Sequence, residues 1–132
     1  MRVAIAGAGG RMGRALIDAV LADGELGLAA ALDVPRSPAL GANLGTVRVT
    51  ADLAGIAAAE VLLDFTRPEG TLAHLKHARA MVIGTTGFTE EDKDRIDEAA
   101  TRIPIVMAAN FAVGVNAVYQ LAETAARILG DA

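Results

Sequence analysis

The sequence predicts an α/β fold, a doubly wound parallel sheet with helices on both faces, formed as a single domain over residues 1–132. Short apolar runs recur near residues 2–6, 27–32, 47–50, 61–64, 81–84 and 104–108, and helical patterns separate them. The runs are near-continuous Val, Ile, Leu and Ala rather than alternating, the pattern of parallel strands covered on both sides. Strand and helix alternate along the whole chain, as βαβ units require. A chain of 132 residues is the size of one domain and buries about two-thirds of its unfolded surface.

The first strand, near 2–6, runs into Gly7, Ala8, Gly9, Gly10, Arg11, Met12 and Gly13, and a helix follows over 11–22. Glycine lets the backbone approach a ligand closely, because no Cβ intervenes. The first N–H groups of the helix are unpaired and lie at the positive end of its dipole. That geometry suits the pyrophosphate of a dinucleotide. The spacing fits G-x-x-G-x-x-G over Gly7, Gly10 and Gly13 better than G-x-G-x-x-G, whose third glycine would fall at Met12. A bare strand-to-helix turn has the same glycines, so the context decides. The second apolar run, 27–32, ends at Asp33, twenty positions after Gly13. A carboxylate there accepts hydrogen bonds from the adenosine ribose hydroxyls.

Residues 33–46 hold two prolines, two glycines and an Asn, and read as a loop. A strand near 47–50 leads to an Ala-rich helix over 52–59, read as a small-residue face packed on the sheet. After the strand near 61–64, Pro68 opens a helix over 68–79 at a position that needs no N–H. After the strand near 81–84, Thr89 and Asp92 form a capping-box pattern at the start of a helix over 89–101. The strand near 104–108 and a helix over 113–129 complete the series, with no internal repeats.

Composition excludes several function classes. A formal charge of −4 leaves no basic footprint for nucleic acid. Without cysteine there is no disulfide framework and no thiolate metal site. His74 and His77 lie within the 68–79 helix with no third ligand of matching type, so they are read as a solvated face and no metal is expected. No apolar run spans a membrane, and the chain starts with a strand pattern instead of a signal segment. The expectation is a cytoplasmic protein.

In a doubly wound sheet ligands bind beyond the carboxyl ends of the strands. Here those ends carry the glycine turn, then Asp33, then Asp64 to Gly70, then Gly84, Thr85, Thr86, Gly87 and Phe88, then Ala108, Ala109, Asn110 and Phe111. Backbone amides, threonine hydroxyls and Asn110 suit the riboses and the nicotinamide carboxamide. Phe65 and Phe111 suit packing on flat rings, and equally suit a core. Arg11 opens the first helix and suits adenine or a phosphate, or is simply exposed. Asp64 reads as a loop cap at least as well as a catalytic group.

Four segments together resemble the dihydrodipicolinate reductase (4-hydroxy-tetrahydrodipicolinate reductase) family: VAIAGAGGRMG over 3–13, DFTRPE over 64–69, VIGTTGF over 82–88 and AANFAVGVN over 108–116. They occur in the family's order and span residues 2 to about 130. The resemblance implies a Rossmann-type nucleotide domain with cofactor contacts from residues 7–12, Asp33, Gly84 to Thr86, and Ala108 to Phe111. It implies an oxidoreductase in which a reduced nicotinamide nucleotide delivers hydride to a cyclic imine-type dicarboxylate, or its hydrated precursor, on the route to diaminopimelate and lysine.

Two departures refine this. Family members often place an arginine directly after the ribose-binding acid, where a 2′-phosphate would meet it. Here that position is Val34, with Arg36 two further on, so NADH is expected over NADPH, a preference that Arg11 or Arg36 can soften enough to admit NADPH. The family's paired histidines and lysine, with its substrate-binding and tetramerisation domain, follow downstream of the point where this sequence stops, at Asp131 and Ala132. No catalytic residue is therefore assigned. Cofactor binding, negligible turnover and a monomer or weak homodimer are expected. The nucleotide domain of another Rossmann dehydrogenase, and a non-catalytic nucleotide-binding scaffold, are the other readings the residues allow.

Overall fold

The computed structural model describes residues 1–130, and Asp131 and Ala132 lie outside the described residues. Seven strands form one sheet: β1 (Arg2–Ala6), β2 (Gly27–Leu32), β3 (Asn43–Leu44), β4 (Val47–Thr50), β5 (Val61–Asp64), β6 (Met81–Ile83) and β7 (Ile105–Met107). Their spatial order is β3-β4-β2-β1-β5-β6-β7, and every pairing is parallel except β3 with β4. The four α-helices are α1 (Arg11–Ala22), α2 (Pro68–His74), α3 (Glu90–Ala100) and α4 (Val113–Leu129). The chain winds from β1 outward through β2 to β4, then returns to the other side of β1 for β5, β6 and β7. The order therefore reverses between β1 and β5, the point beyond whose strand ends sheets of this kind bind ligands.

Alternate residues of the central strands feed two separate cores. Val3, Ile5 and Ala31 face Ile17 and Val20 of α1. Ala4, Ala6, Ala30 and Leu32 face the opposite layer, which contains Ile56, Leu72 and Ile96. Both faces of β1 are thus buried, which is why its sequence is apolar throughout. Helices do pack on both faces.

The sequence differs from the structure at three places. Residues 33–46 are not all loop: β3 lies inside them, joined to β4 by a two-residue turn. Gly45, at φ 64°, takes the first central position of that turn, where a positive φ matches the strand twist. Residues 53–58 form a 3-10 helix rather than an α-helix, with Asp52 accepting the Ala54 N–H at its start. Ile56 and Ala59 anchor that short piece to the sheet, as its small residues suggested. The helix read over 68–79 ends at His74. The N–H groups of His77 and Ala78 both bond back to the His74 carbonyl, and Ala78 turns into the core to start the approach to β6. The capping box at Thr89 and Asp92 forms with both of its hydrogen bonds.

Candidate functional site

The glycine turn at the end of β1 is built by contacts that no other residue permits. Gly7 has φ 74°, in the left-handed region, which makes the sharp exit from the strand. A Cβ on Gly13 would overlap the Gly7 carbonyl, so α1 packs directly on the strand end. Gly10 caps α1 without a side-chain hydrogen bond, and the first turn has no acidic residue. The helix therefore presents uncapped N–H groups at its positive end. Arg11 and Met12 are exposed at that opening, and Ala8 is buried beneath it.

Asp33 lies directly against this turn. Its Oδ2 accepts the Gly9 N–H at 2.8 Å and the Ser37 hydroxyl at 2.9 Å, and its Oδ1 accepts the Val34 N–H at 2.8 Å. A carboxylate has about four acceptor positions, so three are already used. Ser37, which the sequence pattern does not single out, is thus a partner of Asp33. Its only signal is a hydroxyl four positions after the acid in a proline-bounded loop. Arg36, beside it, is exposed and has φ 74°. A shallow cleft of ≈ 340 Å³ continues from Ala8 and Gly9 between α1 and the β3–β4 hairpin, reaching Arg14, Leu44 and Val49.

The other side of the site is organised by Asp64, at the end of β5 and fully buried. Its Oδ1 accepts from the Thr66 N–H at 3.0 Å and hydroxyl at 2.6 Å, so it does cap the loop. Its Oδ2 lies 2.7 Å from Nδ1 of His74. The Thr85 hydroxyl donates to Oδ1 at 3.4 Å and accepts from the Thr71 hydroxyl at 2.9 Å. Burial alone pushes the Asp64 pKa up. Hydrogen bonds from His74 and Thr66, with the His74 charge, outweigh it and hold the carboxyl below its ordinary value.

His74 thus corrects the reading of a solvated histidine face. It is buried, because the helix brings it over the end of β5, and only His77 is exposed. Thr85 is a second departure. Its hydroxyl points inward to Asp64 and Thr71, so of the two threonines at the end of β6, only Thr86 has its side chain exposed.

Phe65 packs against Gly84, where a Cβ would run into its ring. Phe65 also meets Phe111, with centroids 5.7 Å apart and planes tilted by 59°. Phe111 is partly exposed, so the pair forms an aromatic ridge at the sheet edge and not a core. Asn110 is turned towards its own chain: Oδ1 accepts the Ala112 N–H at 2.7 Å, ahead of α4. Thr86, Ala108 and Ala109 line a cleft of ≈ 280 Å³ with Phe88 and Met107. All of these strand ends share one edge of the sheet. Adjacent strands are tied there by Ala8 N–H to the Leu32 carbonyl, Gly84 N–H to Asp64, and Ala108 N–H to Ile83.

Comparison with known proteins places this architecture in a family. Residues 1–111 match the family model described as dihydrodipicolinate reductase, N-terminus. The chain is 55% identical over 141 residues to the 4-hydroxy-tetrahydrodipicolinate reductase of Cupriavidus taiwanensis, covering 98% of this chain and 53% of the relative. It is 54% identical over 142 residues to that of Dechloromonas aromatica, with the same coverage. Among solved structures, dihydrodipicolinate reductase from Paenisporosarcina sp., with dipicolinate bound, superposes with a TM-score of 0.80 at 30% identity, over 96% of this chain and 53% of that one. An NAD-binding protein from Listeria innocua, at 18% identity and a TM-score of 0.61, shares the fold. The chain spans about half the length of the curated relatives it matches. On these grounds the chain belongs to the dihydrodipicolinate reductase family, of which it carries the N-terminal part.

Proposed function

We propose that this chain is the nucleotide-binding half of a 4-hydroxy-tetrahydrodipicolinate reductase, that it binds a nicotinamide dinucleotide, and that NADH is preferred to NADPH. The observation that carries the reading is the 2.8 Å contact between the Gly9 N–H and Asp33, beside the uncapped start of α1. It joins an anion-binding helix end to a ribose-binding acid, the two halves of a dinucleotide site.

The residues fit the group chemically. The turn of Gly7, Ala8, Gly9, Gly10, Arg11 and Met12 holds the pyrophosphate, and its glycines allow the close approach. The N–H groups of Ala8, Gly9 and Gly10 bond to Leu32, Asp33 and Gly7, so those of Arg11 and Met12 at the start of α1 donate. Asp33 holds the adenosine ribose. Because three of its acceptor positions are taken, ribose hydroxyls replace the Ser37 hydroxyl or the Gly9 N–H there. Phe65, Gly84, Thr85, Thr86, Ala108, Ala109, Asn110 and Phe111 form the nicotinamide side, with Thr85 contributing its backbone only. When bound, the reduced nicotinamide supplies hydride to a cyclic imine-type dicarboxylate. Val34, exposed beside the acid, offers a 2′-phosphate no cation, which supports the NADH preference. Transfer needs donor and acceptor held at reacting distance. We therefore expect this chain to bind cofactor and to turn over negligibly without the rest of the enzyme.

Calorimetric titration with NADH and NADPH in parallel tests the reading. NADH binding stronger than NADPH, and lost in Asp33→Ala, is the expected result. No binding of either nucleotide, or binding unchanged in Asp33→Ala, would overturn it.

A further inference from the structure

The polar cluster around Asp64 is buried apart from the half-buried Thr66, and it meets the nicotinamide-side cleft only through Thr85. It contains Asp64, Thr66, Thr71, His74 and Thr85, and each side chain in it has a partner. The cluster draws together three elements: the end of β5, helix α2 and the turn after β6. Hydrophobic packing at these points would position them only loosely. A charged acceptor with directional donors fixes them, since each bond constrains both distance and angle.

The consequences reach the cofactor edge in two steps. Asp64 holds the backbone and hydroxyl of Thr66 at 3.0 and 2.6 Å, which sets the peptide carrying Phe65. The same carboxylate receives the Thr85 hydroxyl, and its own backbone carbonyl receives the Gly84 N–H at 2.9 Å. Phe65 and Gly84 are thereby held in close contact, with no room for a Cβ between them. Thr66 also lies near the other half of the site, where a Cβ on Gly7 would come to 3.0 Å from its Cγ2.

We propose that Asp64 and His74 are positioning residues that set the nicotinamide-side edge, Phe65 against the Gly84 to Thr86 backbone, without touching the cofactor. This rests on the cofactor reading above. His74 completes the acceptor set of Asp64 from α2. Without it the carboxylate is under-bonded in a dry site and draws in water or rotates. Rotation carries Thr66 and Thr85 with it. The adenosine side, built by β1, α1 and β2, supplies no hydrogen bond to the cluster, which approaches it only where the Thr66 methyl lies near Gly7.

That asymmetry gives the test. NADH and ADP-ribose, which lacks the nicotinamide, are titrated into the wild-type chain and into His74→Leu and His74→Asn. Asn offers an amide N–H close to the position of His Nδ1. His74→Leu is expected to weaken NADH binding about tenfold, the scale of one lost buried hydrogen bond to a charged group. ADP-ribose affinity stays within about twofold in all three chains, and His74→Asn restores NADH binding. Thr71→Val, compared with Thr71→Ser, gives the same contrast through Thr85 should His74→Leu fail to fold. Equal weakening of both ligands, or no change in either, overturns the positioning role and leaves the cofactor reading intact. A wild-type chain that binds NADH no better than ADP-ribose also overturns it alone. A wild-type chain that binds neither ligand overturns both.

Discussion

Gly13 shows how a single atom constrains this fold. The glycine has no polar role, and its contribution is the absence of a Cβ where α1 meets the Gly7 carbonyl. Gly13→Ala is expected to cost more than about 2 kcal/mol, because neither backbone can yield without moving helix or strand. Gly24, with open space around its would-be Cβ, is the control. Gly24→Ala is expected to change stability by no more than about 0.5 kcal/mol, with both variants read by urea denaturation. The G-x-x-G-x-x-G spacing was legible in the sequence, and so was Asp33. The partners of Asp33 were not, because Ser37 reaches it through a loop whose path no local periodicity encodes.

Among the elements, α2 departs furthest from its sequence pattern. Its apolar and polar positions continue a helical register past His74, yet the helix stops there. The short crossing from β5 to β6 leaves no length for another turn once Ala78 must be buried. The same geometry puts His74 on Asp64 and gives the cluster a pH dependence. Unfolded, an aspartate titrates near about 3.9. The folded Asp64 lies below its ordinary value, so its stabilisation is complete at neutral pH and is lost as pH falls through the folded value. Asp64→Asn is expected to flatten the acid limb of a stability-against-pH curve. Asp64→Ala is expected to cost about 3–5 kcal/mol at pH 7, since it strands a buried histidine. Chemical denaturation across the acid range checks both. An acid limb that keeps its wild-type steepness in Asp64→Asn would show that other carboxylates set it.

At the scale of the molecule, α4 stands apart from the two cores. It spans Val113–Leu129 and buries none of its residues. Asn116, Gln120, Glu123 and Arg127 make a polar row, with an ion pair between the last two. Val118, Leu121, Ile128 and Leu129 are exposed elsewhere around the helix, and Val106 and Met107 are exposed on the edge strand β7. Apolar surface left uncovered in this way promotes association. Replacing Val118 and Leu121 together with Glu is expected to leave stability within about 0.5 kcal/mol, because nothing packs on them. The wild-type chain is expected to self-associate weakly in sedimentation, and the same variant to stay monomeric at the same concentration. A large loss of stability would place these side chains in a packed interface. Among the described residues no helix is long and apolar enough to cross a membrane.

The sequence by itself determined the parallel α/β sheet, the bounds of its central strands, the glycine turn, Asp33 at the end of β2 and the capping box at Thr89. Each is written in short-range terms: an unbroken apolar run, a glycine spacing, a residue at a strand end, a pair three positions apart. Only the tertiary structure decided the antiparallel β3, the 3-10 turn at 53–58, the early end of α2 and the inward turn of Thr85. It alone joined Asp64 to His74, ten positions away and across a turn, and laid Phe65 on Gly84. These features depend on which strand ends become neighbours, and that follows from the sheet order, which no local pattern states.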